Sequence, residues 1–558
     1  MKVVTVEQMR AIEAASDAAG HTYAAMMERA GQAVAQALAA RVEVEGKRVF
    51  VLVGPGNNGG DGLVAAYHLA QAGAEVACYL TRSRDPEKDE NLRRVQDRSI
   101  FVLVASEDTG HRRLRRLAAG ADVVIDALLG TGSTPPVRGT VAEVLRVVRR
   151  ALDRRVAPPP DRLRSLGELP SPPPRTRPFV VAVDGPSGMD FDTGALDEAA
   201  LPADLTVTFA YPKRGHFRFP AAAALGELVV ADIGTDPALA ERVDLEVVTP
   251  EMVRAWLPTR PPDAHKGTFG RALIVAGSSN YTGAARLAGA AAVRAGAGLV
   301  TVALPAPIHP AVAAGLAEAT YLLLPHELGV IAEPAVEVLA EEVERYDAML
   351  VGPGLGRERE TVGFLEALLE RERRPVGFLR KERPAARALS LPPLVVDADG
   401  LNILSEWEGW PQRLPPGTIL TPHPGEMARL TGRAVSEIQA ERVETARHYA
   451  QAWGHVVLLK GAYTVVAAPD GRAVLEPFAN PGLATGGTGD VLAGIVVALR
   501  AQGLDPFEAA AAGAYLHGLA GELARAELGE AGMGAGDLLQ FLPQAWQRLT
   551  LPSGPAGG

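Results

Sequence analysis

Short apolar runs that end in Gly or Asp alternate with alanine-rich stretches through most of the chain. Runs of this length are typical of buried strands, and the stretches between them are typical of crossover helices. The predicted strands of the first half are residues 49–53, 75–80, 123–126, 179–184 and 205–209. Those of the second half include residues 272–276, 299–303, 348–351, 394–397 and 456–460. The pattern predicts an α/β fold with parallel sheets in both halves.

A chain of 558 residues is longer than one hydrophobic core usually supports, so at least two domains are expected. The run 245–251 closes the first series of strands, which predicts domains at 1–248 and 249–558. Two stretches rich in Arg and Pro, 149–178 and 370–393, break the pattern. We expect surface insertions or partly mobile loops there, and the first could alter domain contacts or oligomerisation.

The composition narrows the class of protein. A net charge of -10 and a pI near 5.7 argue against non-specific binding to nucleic acid or to anionic membranes. The single cysteine, Cys78, permits no disulfide framework or cysteine-based metal site within one chain. The first ten residues lack an apolar signal core, and no segment has the uninterrupted apolar length of a membrane span. A cytoplasmic enzyme is therefore expected, with no nucleic-acid or membrane partner.

The most informative motif is the glycine-rich segment 480–490, which runs directly into an apolar segment at 491–499. Glycines at 482, 486, 487 and 489 let backbone N–H groups converge, and a following helix would add its positive N-terminal end. Such an anion cradle suits a phosphate, and Asp490 beside it suits a base aimed at a neutral hydroxyl. The motif predicts phosphoryl transfer to an alcohol, with a simple helix cap as the alternative.

Other polar loops follow the predicted strands of the second half, at 277–283, 352–356, 397–402, 421–426 and 460–464. Lys460 at a strand end could balance nucleotide phosphates. His423 between two prolines is either a structural loop residue or a ligand contact. Asp397 and Asp399 could hold a phosphate-bound Mg²⁺, or could merely cap the turn at 400–402.

The first half carries a second set of polar strand ends. Residues 54–62 formally contain G-x-G-x-x-G, but the acidic residue of a dinucleotide site and the lysine of a P-loop are missing. Asn57, Asn58 and Asp61 suit a ribose, an amide or a cation. The carboxyl ends of parallel strands share one edge, so Asn58, Asp126, Asp184 and Ser187 would gather in one crevice. Hard oxygen ligands favour an alkali or alkaline-earth cation, and turn capping by the aspartates is the alternative.

These motifs, in this order, resemble a pairing of two known families. The first half resembles the YjeF N-terminal family of NAD(P)H-hydrate epimerases through residues 57–61, 126–132 and 184–188. The second half resembles the ADP-dependent NAD(P)H-hydrate dehydratases of the ribokinase-like superfamily through residues 265–267, 352–356, 421–426 and 485–490. The resemblance covers nearly the whole chain except the two Arg/Pro-rich stretches. It implies an N-terminal Rossmann-like three-layer sandwich and a C-terminal ribokinase-like α/β domain.

The activity that the resemblance implies is repair of reduced nicotinamide cofactors hydrated at C6 of the ring, NADHX and NADPHX. The first domain would interconvert the R and S epimers, and the second would dehydrate the S form, converting ADP to AMP and phosphate. The implied cofactors are K⁺ in the first domain and Mg²⁺ with ADP in the second, and a homo-oligomer is expected.

The resemblance also assigns site residues, with Asp184 and Asp490 as the catalytic acid/base groups. K⁺ would be held by Asn58, Asp126 and Ser187. The hydrate in the first domain would contact Asn57, Asn58, Gly59, Gly60, Asp61, Gly130, Thr131, Gly132, Ser133, Thr134, Pro135, Pro136 and Asp184. The hydrate in the second domain would contact Gly356, His423 and Asp490. ADP would contact Lys460, Gly461, Ala462, Tyr463, Thr464, Asn480, Pro481, Gly482, Leu483, Ala484, Thr485, Gly486, Gly487, Thr488 and Gly489.

One departure from the family pattern is Gly185, where the family usually has an aliphatic residue, and a looser loop is expected there. Two other functions stay open at this point. The cradle and Asp490 alone would permit a small-molecule kinase that uses ATP, and the first half could be a binding or scaffold module without chemistry. The choice between NADHX and NADPHX, and between ADP and ATP, is also open.

Overall fold

The computed structural model describes residues 1–153, 177–370 and 390–550. The chain forms two compact units, an N-terminal unit of residues 2–244 and a C-terminal unit of Met1 and the residues from Leu245 onward. The insertions predicted at 149–178 and 370–393 lie largely outside the described residues. Among the described helices, none combines the length and the apolar character needed to cross a membrane.

The N-terminal unit alternates strands and helices. Its strands are β1 (Arg48–Val53), β2 (Glu75–Leu80), β3 (Phe101–Val104), β4 (Val123–Ala127), β5 (Phe179–Val183), β6 (Leu205–Phe209) and β7 (Glu227–Ala231). Its helices are α1 (Val6–Ala18), α2 (Tyr23–Ala39), α3 (Asn57–Gln71), α4 (Glu90–Asp97), α5 (Arg112–Gly120) and α6 (Gly139–Asp153). Helix α1 begins with a capping box, in which Thr5 and Gln8 each bond the other's backbone N–H.

These strands form one parallel sheet in the order β3-β2-β1-β4-β5-β6-β7. Strand β1 shows why two layers of helices are needed. Its residues Val49, Val51 and Val53 belong to one hydrophobic cluster, whereas Phe50 and Leu52 belong to another. Because successive side chains of a strand point to opposite faces, both faces of the sheet are buried, which gives three layers.

The C-terminal unit has a longer series of elements. Its strands are β8 (Leu245–Val247), β9 (Arg271–Val275), β10 (Leu299–Pro305), β11 (Thr320–Leu324), β12 (His326–Glu327), β13 (Val330–Ile331), β14 (Ala348–Val351), β15 (Leu394–Val396), β16 (Ile419–Leu420), β17 (Val456–Leu459), β18 (Val465–Ala467) and β19 (Ala473–Leu475). Its helices are α7 (Pro250–Trp256), α8 (Thr282–Arg294), α9 (His309–Ala313), α10 (Ala335–Glu342), α11 (Arg359–Leu369), α12 (Asp399–Leu404), α13 (Trp410–Arg413), α14 (Pro424–Thr431), α15 (Val435–Ala440), α16 (Arg442–Trp453), α17 (Thr488–Ala501), α18 (Pro506–Leu528) and α19 (Ala535–Thr550).

The main sheet of this unit has the order β11-β10-β9-β14-β15-β16-β17-β18-β19-β8. Strand β18 runs antiparallel to both of its neighbours, and the other pairs in the sheet are parallel. Alternate residues of β9 again belong to different clusters, Ala272 and Ile274 to one, Leu273 and Val275 to the other. This sheet too is buried on both faces, and the α/β class predicted for both halves is confirmed.

The predicted strands coincide with observed ones, with differences at their ends. Strands β5 and β15 stop before Asp184 and Asp397, which the sequence placed inside them. Asp184 has φ of +65°, a left-handed conformation that a strand cannot contain. Strand β8 pairs with β19 and so belongs to the C-terminal unit.

The contact between α8 and α17 gives a testable prediction. A Cβ on Gly494 of α17 would overlap the carbonyl oxygen of Ala288 on α8, so Gly494→Ala forces the helices apart. We expect Gly494→Ala to lower the free energy of unfolding of the C-terminal unit by ~1–3 kcal/mol, the usual cost of overpacking. Urea unfolding measures it. Gly363→Ala in α11 is the matched control, because its Cβ would have open space, and it should gain ~1 kcal/mol from helix propensity. Equal stability of the two variants would contradict the close packing.

Candidate active sites

The strand order of the N-terminal sheet reverses between β1 and β4, and a cleft of about 510 Å³ lies outside their carboxyl ends. The cleft is lined by the sequence-predicted residues Asn57, Asn58, Asp61, Gly130, Thr131, Gly132, Ser133 and Asp184. Arg10 and Glu13 of α1 and Tyr23 of α2 also line it. Two predicted contact residues face the interior instead. A Cβ on Gly60 would lie 2.6 Å from the sulfur of Met27, and one on Gly59 would lie 2.7 Å from the guanidinium of Arg84. Thr134, Pro135 and Pro136 are not among the lining residues.

Asp126 and Ser187 form one buried polar cluster. The backbone N–H of Ser187 donates to Asp126 Oδ2 at 2.8 Å, and its hydroxyl donates to Oδ1 at 2.6 Å. The N–H of Leu129 donates to the Ser187 hydroxyl at 2.9 Å, which ties the loop after β5 to the turn after β4. Burial raises the pKa of Asp126 although these hydrogen bonds oppose the rise.

Asn58 reaches the same turn from the first residues of α3. A Cβ on Gly130 would lie 3.3 Å from Asn58 Oδ1, so the Asn58 side chain lies close against this turn. Asn58 Nδ2 is buried and has no hydrogen-bond partner among the described residues. Asn58, Asp126 and Ser187 thus place amide, carboxylate and hydroxyl oxygens around residues 129–130, although Asp126 and Ser187 are fully buried and do not line the cleft. No group of three or more His, Cys, Asp or Glu suited to a metal ion occurs in the described part of the chain.

Asp184 lines the cleft itself, where it pairs with Lys213. Lys213 Nζ donates to Asp184 Oδ1 at 2.6 Å, and the hydroxyl of Thr208 donates to the same oxygen at 2.7 Å. Both charged side chains are buried. His216 Nε2 bonds the carbonyl oxygen of Asp184 at 3.0 Å. Burial alone would raise the pKa of Asp184, but the charge of Lys213 and these hydrogen bonds lower it overall.

The pKa values of two neighbouring carboxyl groups, Asp61 and Glu13, shift upward instead. Burial raises the pKa of Asp61 well above its ordinary value, and the charges of Asp184 and Glu13 raise it further. Burial also raises the pKa of Glu13, with Lys213 opposing and Asp184 adding to the rise. One cleft therefore holds a carboxylate whose pKa is lowered beside carboxyl groups whose pKa values are raised, which is the arrangement needed for paired base and acid roles.

Lys213 and His216 are functional residues that the sequence reasoning missed. They belong to the segment Tyr211-Pro-Lys-Arg-Gly-His-Phe217, which follows β6 at the same edge of the sheet as Asp184. The signal was available, because polar residues directly after a buried parallel strand are the pattern that identified the other site residues.

The looser loop expected at Gly185 is wrong. A Cβ on Gly185 would lie 2.7 Å from the ring of Phe191, so the ring occupies the space that an aliphatic side chain would need. Phe191 is 2% exposed, and its ring also packs edge-on against His216 at 5.5 Å between centroids. Phe191 therefore packs the loop tightly in place of the missing side chain.

The anion cradle of the C-terminal unit consists of a short turn, a loop and the first turn of α17. Gly487, just before α17, has φ of +91°, a conformation that favours glycine. The hydroxyl of Thr488 closes the loop by donating to the carbonyl oxygens of Leu483 and Thr485 at 2.8 and 2.9 Å. The first N–H groups of α17 have no intrahelical acceptor, so they and the helix dipole favour an anion at this point.

Asp490 is the third residue of α17, beside this cradle. Burial raises its pKa to about 7, the negative charge of Asp397 adds to the rise, and Lys460 opposes it. A Cβ on Gly489 would lie 3.4 Å from Lys460 Nζ, so the ammonium group lies against the first turn of the helix. A carboxyl group with this pKa exchanges protons readily near neutral pH.

Lys460 also forms an ion pair, in which its own side chain is 16% exposed and that of Asp397 is 1% exposed. Its Nζ donates to Asp397 Oδ1 at 2.7 Å, and the hydroxyl of Thr421 donates to the same oxygen at 2.8 Å. Asp399 instead accepts from the N–H of Gly356 at 3.0 Å and from the side chain of Asn402 at 3.3 Å. The two aspartates therefore fix three strand-end loops in place, and Asp399 stabilises its own turn as the capping alternative predicted.

His423 is the N-cap of α14. Its Nδ1 accepts from the N–H groups of Gly425 and Glu426 at 2.9 and 3.2 Å, while the other ring nitrogen, Nε2, lies 3.4 Å from Glu426 Oε1. The His423 side chain is half exposed. Burial raises the pKa of Glu426 to about 7 against the pull of Lys460. His423 therefore has the structural role that was one of the two alternatives. Its exposed edge leaves room for the other alternative, a ligand contact.

The loop 460–464 packs beside the start of the cradle. The N–H of Tyr463 donates to the carbonyl oxygen of Phe478, and the N–H of Glu476 donates to that of Thr464, both at 2.8 Å. Asn480, two residues after Phe478, accepts from the N–H of Gly482 at 2.9 Å, and its Nδ2 is buried without a partner in the described residues. The two segments predicted to hold ADP are therefore neighbours in space.

Two family models match the chain, one to each unit. The model of the YjeF-related protein N-terminus matches residues 23–215, and the model of NAD(P)H-hydrate dehydratase matches residues 272–544. A solved ADP/ATP-dependent NAD(P)H-hydrate dehydratase from Bacillus subtilis, co-crystallized with ATP and Mg²⁺, is 34% identical. It covers 55% of this chain and 98% of its own, with a TM-score of 0.45.

Curated relatives match along nearly the whole length. The bifunctional NAD(P)H-hydrate repair enzyme Nnr of Moorella thermoacetica is 39% identical over 94% of this chain and 92% of its own. The enzyme of the same description from Escherichia coli is 34% identical over 96% of this chain and 92% of its own. With both family models in the same order and identity of this extent, the chain belongs to the family of bifunctional NAD(P)H-hydrate repair enzymes.

Proposed function

We propose that the chain repairs hydrated nicotinamide cofactors. Its N-terminal unit interconverts R and S forms of NADHX and NADPHX, and its C-terminal unit dehydrates the S form with ADP, releasing AMP and phosphate. The observation that carries the proposal is Asp490, a carboxyl group with a pKa of about 7 at the edge of an anion cradle. The membership of the family supports the choice of substrate.

In the C-terminal unit the cradle takes the ADP phosphates and Asp490 takes the proton of the C6 hydroxyl. The hydroxyl oxygen then attacks the β-phosphorus, AMP leaves, and a poor leaving group becomes a phosphate ester. Loss of phosphate from C6 and of a proton from C5 restores the dihydronicotinamide ring. The N–H groups at the start of α17 stabilise the negative charge on the transferring group.

In the N-terminal unit Asp184 is the base. Epimerisation breaks and reforms one bond to C6, so it needs a group that accepts a proton and another that returns one. Asp184 is kept charged by Lys213, and Asp61 in the same cleft favours its protonated form. This division of roles follows from the surroundings of the two carboxyl groups, one paired with a cation and one buried without such a pair.

We assign K⁺ to Asn58, Asp126 and Ser187. Their oxygens converge on the turn after β4, and a cation there would stabilise the charged form of Asp126 that burial disfavours, so the residues fit the ion. A bound K⁺ would neutralise that carboxylate and so remove its repulsion of the negatively charged substrate. Mg²⁺ would arrive with ADP and neutralise phosphate charge. A cytoplasmic location, a homo-oligomer and domains at 1–248 and 249–558 stay predictions from the sequence.

The first test supplies the full chain with mixed R- and S-NADHX, ADP, Mg²⁺ and K⁺. We expect the absorbance of the reduced ring to recover from both epimers. Asp490→Asn should slow recovery by roughly 10²–10⁴-fold, the usual contribution of a general base. Asp537→Asn is the matched control, because Asp537 is the third residue of α19 as Asp490 is of α17, and it should keep the wild-type rate. No recovery with either ADP or ATP would refute repair and favour the small-molecule kinase.

The pH dependence of dehydration gives a second test. Asp490 accepts a proton only when it is ionised, and its pKa is about 7. With S-NADHX and ADP, kcat/KM should therefore rise with pH through the region around pH 7 and level off about one unit above it. A pH-independent kcat/KM across that region would contradict Asp490 as the base.

Replacing K⁺ by a bulky organic cation tests the metal assignment. Without ADP the C-terminal unit is idle, so chromatography of the R-to-S ratio follows epimerisation alone. We expect K⁺ to accelerate the wild type, and Asp126→Asn to lose that response because the neutral amide no longer favours a cation. Asp122→Asn is the control, since Asp122 pairs with Arg48 just before β4 and not at its carboxyl end. A full K⁺ response in Asp126→Asn would place the ion elsewhere.

A further inference from the structure

Lys213 makes a complete set of contacts at the base of the N-terminal cleft. Its side chain is 2% exposed, and its ammonium group donates to Asp184 Oδ1, to the hydroxyl of Thr208 and to the carbonyl oxygen of Phe209. The three distances are 2.6, 2.9 and 3.3 Å. An ammonium group has three donors, so every one of them is used. Such a group has a single orientation, and so has the carboxylate that it holds.

His216 fixes both members of this pair through their backbones. Its Nδ1 accepts from the N–H of Lys213 at 3.0 Å, so that nitrogen carries no proton. Its Nε2 then carries the proton and donates to the carbonyl oxygen of Asp184 at 3.0 Å. Burial lowers the pKa of His216 to about 4, and the charge of Lys213 lowers it further, so the ring stays neutral. The packed ring of Phe191 holds the imidazole in this position.

The other groups around Asp184 are mostly negative. Glu13 from α1 and Asp61 from α3 interact electrostatically with it, and Arg10 acts on Glu13 from the same helix. Three carboxyl groups thus share one partly enclosed cleft with Lys213. Without the lysine, burial and the like charges would favour the protonated form of each carboxyl group.

We propose that Lys213 is a positioning residue of the epimerisation, holding Asp184 charged and in one orientation while neutral His216 locks the two backbone segments together. The inference rests on the proposed function of the N-terminal unit. This role is more than structural, because Lys213 determines whether the base, Asp184, is charged. A buried ion pair is seldom a net gain in stability, so a stabilising role alone does not account for the pair, whereas its effect on Asp184 does.

The test is the pH profile of epimerisation, followed in the full chain without ADP by chromatography of the R-to-S ratio. We expect no acid limb for the wild type above about pH 5, because Asp184 stays ionised there. Lys213→Met removes the charge at similar volume, so Asp184 should gain a proton near neutral pH and the rate should fall about tenfold per pH unit below that point. Lys213→Arg keeps the charge and should show no such limb. Lys88→Met, at an exposed lysine of the same unit, should match the wild type.

A profile of Lys213→Met with no acid limb, whatever its amplitude, would overturn the proposal. Calorimetry gives an independent readout, and it is decisive if Lys213→Met is too unstable to assay. It is also decisive if the wild type has no epimerase activity, a result that would refute the proposed function itself. If Lys213 serves the charge of Asp184, adding Asp184→Asn to Lys213→Met should raise the melting temperature of the N-terminal unit above that of Lys213→Met alone. A double variant that melts no higher would show that the two charges are not coupled.

Discussion

A lysine–aspartate pair lies at the carboxyl edge of each main sheet, buried in the N-terminal unit and partly buried in the C-terminal unit, and the candidate chemistry of both units depends on it. Lys213 holds Asp184 at 2.6 Å in the N-terminal unit, and Lys460 holds Asp397 at 2.7 Å in the C-terminal unit. Removing a charge from water costs several kcal/mol, roughly, and a close partner of opposite sign offsets most of that cost. Each pair therefore lets an ionised carboxylate exist inside a hydrophobic fold, where its charge acts strongly on the groups around it.

The two pairs act on their neighbours in different ways. Lys213 contacts the proposed base itself, so Asp184 is kept charged. Lys460 pairs with Asp397 and not with Asp490, so Asp490 receives repulsion from Asp397 as well as attraction from Lys460, and burial raises its pKa to about 7. The first arrangement gives a base that is ionised at every pH of interest. The second gives a carboxyl group that is partly ionised near neutral pH. Its protonation changes when ligand charge enters the cradle.

Both arrangements depend on parallel strands. The carboxyl ends of such strands meet at one edge, so loops far apart in sequence are neighbours there. Ser187 contacts Asp126 and Leu129 across the loops after β5 and β4. Asp399 similarly receives the N–H of Gly356 from the loop after β14. Close backbone approach is part of the same constraint, because Asn58 and Lys460 lie against the backbone at Gly130 and Gly489, where a Cβ would be 3.3 and 3.4 Å from their side chains.

The sequence by itself determined the α/β class, most strands and the motifs at their ends, because apolar runs and glycine-rich turns are local patterns. It also indicated the family, since several motifs occur in one order. Only the tertiary structure decided which polar residue meets which. It revealed Lys213 and His216 beside Asp184, the ring of Phe191 in the space over Gly185, and β8 in the second sheet. Charge state and partner choice depend on burial and on distances between residues remote in sequence, and a local pattern carries neither.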